Sequence, residues 1–236
     1  MTLVVLSTHA VKDVIDALGA GLERAAGGPL AFSYDPANVL KRRIESGEAF
    51  DVAIATRAAL DQLAQQDRII PSSVIDLGRS GLGLSVRKGA LKPDIATVDK
   101  FRRALLAAKS LVRSKDGTSG IYFVALLERL GIAGEMKDKI ILGPSGRVAE
   151  LVAKGEAEMA VQQVSELLPV VGADYVGPFP AELQLYTMFS AGIGNACRDR
   201  EAATRLLASL QTPAATALFT AKGLESPKRQ TAFIRE

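Results

Sequence analysis

The sequence predicts an α/β fold of two lobes, each a mainly parallel sheet flanked by helices, joined by two hinge strands and enclosing a ligand cleft. Three observations carry this. The apolar 48% of the 236 residues is mostly Ala, Val, Ile and Leu, with aromatics at 5% and no Trp, as expected of strands sandwiched between helices. Short β-rich runs alternate with segments of helical spacing, and this βα pattern breaks and then restarts in mid-chain. Two extended stretches, one at each break, read as crossings between lobes.

Leu3 to Leu6 is the first strand. Ala10 to about Ala25 has helical spacing, with Val11, Ile15, Leu18 and Leu22 on one face. Leu30 to Tyr34 is the second strand, and Ala37 to Ser46 a helix turning Val39, Leu40 and Ile44 inward. Asp51 to Ala55 is the third strand, followed by a helix over Ala58 to Gln65. Gly81 to Val86 alternates like a crossing strand. The pattern restarts with a helix over Val98 to Ala108, a strand at Ser110 to Arg113 and a helix over Ser119 to Leu130. A strand at Ile140 to Leu142, a helix from Arg147 to Lys154, a strand at Glu158 to Val161 and a short helix over Val164 to Leu168 complete the second unit. Leu183 to Phe189 is the return crossing, and helices at Asp199 to Leu210 and Pro213 to Lys222 close the chain. One lobe therefore takes 1–82 and 187–236, and the other 83–186.

Several function classes fall away. Net charge is +3 with Lys and Arg mixed among Asp and Glu, so the basic patch of a nucleic-acid binder is missing. No apolar run reaches the ~20 residues that span a bilayer, so the chain is not membrane-embedded. Cys197 alone allows no internal disulfide, and a second His or Cys at metal-ligand spacing is lacking. Neither cofactor nor metal is expected. Gly78-Arg79-Ser80-Gly81-Leu82-Gly83 has the wrong spacing for a dinucleotide loop and leads into a strand.

The chemistry is expected at the strand-to-helix turns, since ligands of open α/β sheets lie beyond the carboxyl ends of the strands. These turns are Ser7-Thr8-His9-Ala10, Asp35-Pro36-Ala37-Asn38, Asp116-Gly117-Thr118-Ser119-Gly120 and Gly143-Pro144-Ser145-Gly146-Arg147. Small residues opening a helix aim free N–H groups and partial positive charge into the cleft, which suits an anion. Thr8, Asn38, Ser119 and Ser145 can equally be ordinary N-caps. His9, the lone histidine, can donate to an anion, move a proton, or simply cap its turn. Arg147 in the first turn of its helix opposes the dipole unless an anion is present, though it can be a solvated surface residue. Arg79 and Ser80 precede the first crossing, where they can reach a ligand or serve the hinge. Of Gln162 and Gln163, at least one is expected to face the cleft.

With those residues in place, the chain resembles the periplasmic molybdate-binding family, the type II substrate-binding proteins of ABC importers. The resemblance runs through Ser7-Thr8-His9-Ala10-Val11, Leu40 to Gly47, Asp51-Val52-Ala53-Ile54-Ala55, Ser119-Gly120-Ile121-Tyr122 and Gly155-Glu156-Ala157-Glu158. It implies a solute-binding protein that closes around a small anion, an organic carboxylate or an oxyanion, and hands it to an ABC permease. It adds Ala10, Ala37, Ser119, Ser145 and Gln163 as matching the family's ligand positions; with Thr8, His9, Asn38, Arg79, Ser80, Gly120 and Arg147 from the turns and hinge, these form the expected ligand set. The family's two serines fall at Ala10 and Ala37 and its second-lobe tyrosine at Gln163, which argues against molybdate itself. The alternative implied is a cofactor-independent isomerase of a polycarboxylate, similar to aconitate isomerase. His9 would then move the proton, with Tyr122 or Asp35 as second carrier, and Arg79, Arg147 and Lys12 would clamp carboxylates. The location expected is periplasmic if a signal peptide has been removed ahead of Met1, and cytoplasmic otherwise.

Overall fold

The computed structural model describes residues 1–144 and 146–226. Two five-stranded sheets form two lobes of the same topology. In the first, β1 (Leu3–Ser7) is followed by a 3-10 turn (His9–Val11), α1 (Lys12–Leu18), α2 (Ala20–Ala26), β2 (Leu30–Tyr34) and α3 (Ala37–Glu45). Then come β3 (Val52–Thr56), α4 (Arg57–Gln65) and β4 (Ile75–Ser80). The second lobe runs β5 (Leu82–Arg87), α5 (Val98–Ala107), β6 (Leu111–Ser114), α6 (Thr118–Arg129), α7 (Ala133–Met136) and β7 (Ile140–Gly143). It ends with α8 (Ala149–Lys154), β8 (Met159–Gln163), α9 (Val164–Leu167) and β9 (Ala173–Pro178). The chain returns to the first lobe with β10 (Thr187–Ile193), α10 (Arg200–Leu210) and α11 (Pro213–Ala221).

Strand orders are β2-β1-β3-β10-β4 and β7-β6-β8-β5-β9. In each sheet one strand, β10 or β5, runs against the other four. That odd strand is the one through which the chain enters or re-enters the lobe. The central strands β1 and β3 are buried on both faces, between two clusters that hold Val11, Leu22 and Leu206 on one side and Leu40, Ile44 and Leu60 on the other. Each such side chain is worth about 1.5–3 kcal/mol of burial.

Two differences from expectation have local causes. The helix expected over Ala10 to Ala25 is two short helices, because Gly19 takes a left-handed φ of 42° that only glycine adopts cheaply. The break lets α2 lay Leu22 and Ala26 beside Ala203 and Leu206 of α10. The first crossing also begins earlier than expected, since β4 and β5 are nearly continuous and meet at Gly81. Two glutamines stitch the crossings together. Gln184 binds both the N–H and the C=O of Leu82, at 2.7 and 2.9 Å. Gln163, with its amide turned to donate to Ser80 O (2.9 Å) and Gly81 O (3.2 Å), accepts from the Thr187 hydroxyl (2.9 Å).

Candidate functional site

Between the lobes lies a narrow cavity with about 30 Å³ of internal space, room for a water or two, so a larger ligand enters only when the lobes part. The first lobe supplies Thr8, His9 and Ala10 from the turn after β1, Pro36 and Ala37 from the start of α3, and Thr56 at the end of β3. The second supplies Ser114 at the end of β6, Gly117, Thr118 and Ser119 at the start of α6, Gly146, and Gln162, Gln163 and Glu166 around the β8–α9 junction. All of these are strand-to-helix turns at the carboxyl ends of strands.

The helix starts there are open. Neither Thr8 nor any side chain at the head of α3 or α6 makes a capping bond; their N-cap positions are Pro36 and Gly117. The ordinary capping role considered for Thr8, Asn38 and Ser119 is therefore not the one they play. First-turn amides of α3 and α6 are left for a ligand, which makes the cavity complementary to an anion. Thr56, by contrast, is a true cap, accepting from Ala59 N.

His9 is half-buried, stacks on Tyr34 with centroids 6.0 Å apart, and faces the second lobe. A Cβ on Gly146 would lie 3.7 Å from its ring. Burial pushes its pKa below the usual 6.5; Asp35 opposes this, and the nearby cations Arg147 and Lys12 reinforce it. The imidazole is neutral at neutral pH and can accept a proton.

The cavity's acidic group is Glu166, on α9. It is 9% exposed, and burial drives its pKa up to about 8, against lesser opposing effects from the Gln163 backbone, Arg147 and the Gln162 amide. Sequence reasoning passed over it, because a glutamate in a short helix reads as solvated. The one signal was its place three residues after the Gln162-Gln163 pair. Gln162 itself fixes the loop before α8, accepting from Val148 N (3.0 Å) and donating to Gly146 O (2.7 Å).

Of the ligand set expected from sequence, Thr8, His9, Ala10, Ala37, Ser119 and Gln163 line the cavity. Gln163 spends its polar atoms on the hinge. The other expected residues are used elsewhere. Asn38 donates across the lobes to Asp116 O (3.2 Å) from outside the cavity. Arg79 pairs with Glu225 (2.8 Å) and covers the Tyr186 ring. Ser80 is fully buried in the hinge and accepts from Ser165 N (3.2 Å). Gly120 is small for packing: a Cβ there would meet Ser114 O at 1.8 Å, so β6 and α6 touch through it. Arg147 precedes α8 instead of lying in its first turn, and pairs with Asp13 of the other lobe. Ser145 lies outside the described residues.

The remaining candidates for chemistry are also redirected. Tyr122 Oη donates to Leu183 O (2.9 Å) and lines an outer groove. Asp35 is held by Arg43 at 2.6 Å. Lys12 pairs with Asp16 at 2.6 Å and sits over Tyr34. Neither Tyr122 nor Asp35 is therefore placed as a second proton carrier, and of the three expected carboxylate clamps only Arg147 stands beside the cavity. Among the described residues, no group of three or more His, Cys, Asp or Glu could hold a metal ion, nor is any helix long and apolar enough to cross a membrane.

Two equivalent α/β lobes, two crossings and an anion-suited cavity between helix starts define a two-lobed binding-protein fold of the periplasmic type. The chain belongs to the family of bacterial extracellular solute-binding proteins, whose description matches residues 3–225. A curated relative, the aconitate isomerase of a Pseudomonas species, is 33% identical over 230 residues, covering 95% of this chain and 87% of that protein. Among solved structures, the periplasmic molybdate-binding protein of Azotobacter vinelandii superposes with a TM-score of 0.80 at 16% identity, over 96% of this chain and 100% of that one. The sulfate-binding protein SubI from Mycobacterium tuberculosis gives 0.71 at 15% identity, over 95% and 86%.

Proposed function

We propose that the cleft holds a small polycarboxylate and isomerises it, without a cofactor, by moving a proton between allylic carbons. The observation that carries this is a neutral, half-buried His9 in the wall of a closed interlobe cavity. Open helix starts hold the ligand's carboxylates in place, and Arg147 adds positive charge at the rim. The imidazole then takes a proton from a methylene whose acidity the neighbouring carboxylates and double bond raise. Similarity to an aconitate isomerase over nearly the full length supports the reading.

A second reading has its own support. Membership of the solute-binding family, and likeness to proteins named for molybdate and sulfate binding, favour a binder that closes on its anion outside the cytoplasm and docks on an ABC permease. Affinity would then come from contacts to both lobes at once. Ala10 and Ala37 present no hydroxyls to a bare oxyanion, so a carboxylate suits this site better under either reading.

One experiment separates the two. Wild-type protein and His9→Ala are incubated with cis-aconitate in D₂O and followed by proton NMR. Solvent deuterium entering the methylene, with the trans isomer appearing and both lost in His9→Ala, is the expected result. Saturable thermal stabilisation without exchange would leave the uptake reading standing. No stabilisation by any di- or tricarboxylate, with a clear shift from molybdate, would sink the carboxylate assignment.

A further inference from the structure

Proton transfer between two carbons can be run by one base that returns the proton it took, or by a base paired with a separate acid; the residues expected as second carrier, Tyr122 and Asp35, are engaged elsewhere. We propose that Glu166 is the acid of this site, delivering a proton to the bound anion from the lobe opposite His9. The inference rests on the isomerase reading and adds to it a residue from the other half of the molecule.

Its geometry is that of a group aimed at a ligand. Glu166 is nine-tenths buried yet lines the cavity. The short helix α9 that carries it packs directly against the His9–Val11 turn of the first lobe. The charged or titratable groups facing it are Arg147 and His9, and β8 brings the Gln162 and Gln163 amides. A carboxyl so enclosed keeps its proton at neutral pH while the imidazole across the cavity has given its own up. Environments that split two titratable groups in this way assign acid and base.

The step balances with these two groups. His9 takes the methylene proton, and the C–H electron pair becomes the new C=C bond. The old π pair shifts onto the former vinyl carbon, which takes the proton from Glu166. Imidazolium and carboxylate remain and exchange the proton back before the next turnover, with no net gain or loss. Since the two groups sit on different lobes, the pair exists only when the cleft is shut.

Glu166→Gln keeps the shape and neutrality of the acid and removes its proton. With cis-aconitate in D₂O, this variant is expected to retain the ligand's thermal shift and the deuterium exchange at the methylene. It should lose isomer formation by about 100-fold or more. His9→Gln should lose both. Wild-type rates of isomer formation in Glu166→Gln, or loss of exchange and isomerisation together with binding intact, overturn the assignment. Should wild type itself turn nothing over, the isomerase reading fails and a ligand-free measurement decides Glu166. The infrared difference between wild type and Glu166→Gln at about pH 6 must contain a carboxylic-acid C=O band that vanishes by about pH 10. If that band is missing, the proposal is overturned whatever the ligand.

Discussion

Glu166→Gln also makes a prediction about stability, one that needs no substrate. In the unfolded chain this glutamate titrates near 4.5, and in the fold burial holds it to about 8. Between those values the native state keeps a proton that the unfolded state has released, so stability falls as pH rises, opposite to the usual behaviour of a paired carboxylate. Each pH unit inside the window costs about 1.4 kcal/mol. At about pH 7.5 wild type has therefore lost about 4 kcal/mol through this one group, while glutamine, which does not titrate, loses nothing. With no Trp in the chain, the assay is urea unfolding followed by circular dichroism at intervals from about pH 4.5 to 8. All other groups are common to both proteins and cancel in the difference. The variant should match wild type at the acid end and exceed it by about 4 kcal/mol at the neutral end, or roughly 10 °C in melting temperature. Parallel curves would mean that Glu166 is ionised in the native state, and the argument for a buried acid would collapse.

Four further outcomes follow from the contacts and pKa shifts already described. Gly120→Ala forces a methyl toward Ser114 O, where the ideal Cβ position is 1.8 Å away; the β6–α6 junction should give way, at a cost of about 3 kcal/mol or more in urea titration. Asp13→Ala removes the interlobe partner of Arg147 and should weaken carboxylate binding by about tenfold by calorimetry. Arg147→Ala also removes the cation whose charge reaches both His9 and Glu166, so its loss should be the larger; equal losses would limit Arg147 to the latch. The rate of isomerisation should follow a bell, with its acid limb below 6.5 because burial lowers His9, and its alkaline limb near 8 as Glu166 ionises. An acid limb above 6.5 would remove His9 as the free base.

The parts of this molecule that the sequence made legible are those where burial is continuous and local. LVVLS of β1 and VAIAT of β3 read as apolar runs because helices cover both faces of the sheet. The turns that follow them show their small, hydroxyl-rich composition directly. β4 was hidden because Asp76, Gly78 and Arg79 interrupt its run, each serving a distant partner: Asp76 accepts from Ser190 Oγ at 2.7 Å, and Arg79 binds Glu225. β9 is half-exposed at a sheet edge and contains Gly177 and Pro178, a composition that signals a loop. The misplacements in the site share one cause. Whether Arg79, Lys12 or Asp35 faces a ligand depends on which opposite charge lies nearby, and no spacing rule reveals Glu225 across 146 positions.

Glu166 shows the same limit from the other side, because its burial is produced jointly by α9 and by the first turn of the opposite lobe. That joint origin also says what closure does. An importer's binding protein needs donors on both lobes, and the open starts of α3 and α6 already meet that need. A buried carboxyl adds nothing to a site that must only attract an anion, and once ionised it would repel one. Such a residue costs stability across the whole neutral range, and a binder would do better with the glutamine that differs from it by one group. Its presence in the same cavity as a neutral histidine fits the proposed isomerase, in which one group takes a proton from the ligand and another gives one. Under the isomerase reading, lobe closure would bring His9 and Glu166, which line one cavity from different lobes, to the same ligand as well as trapping the anion.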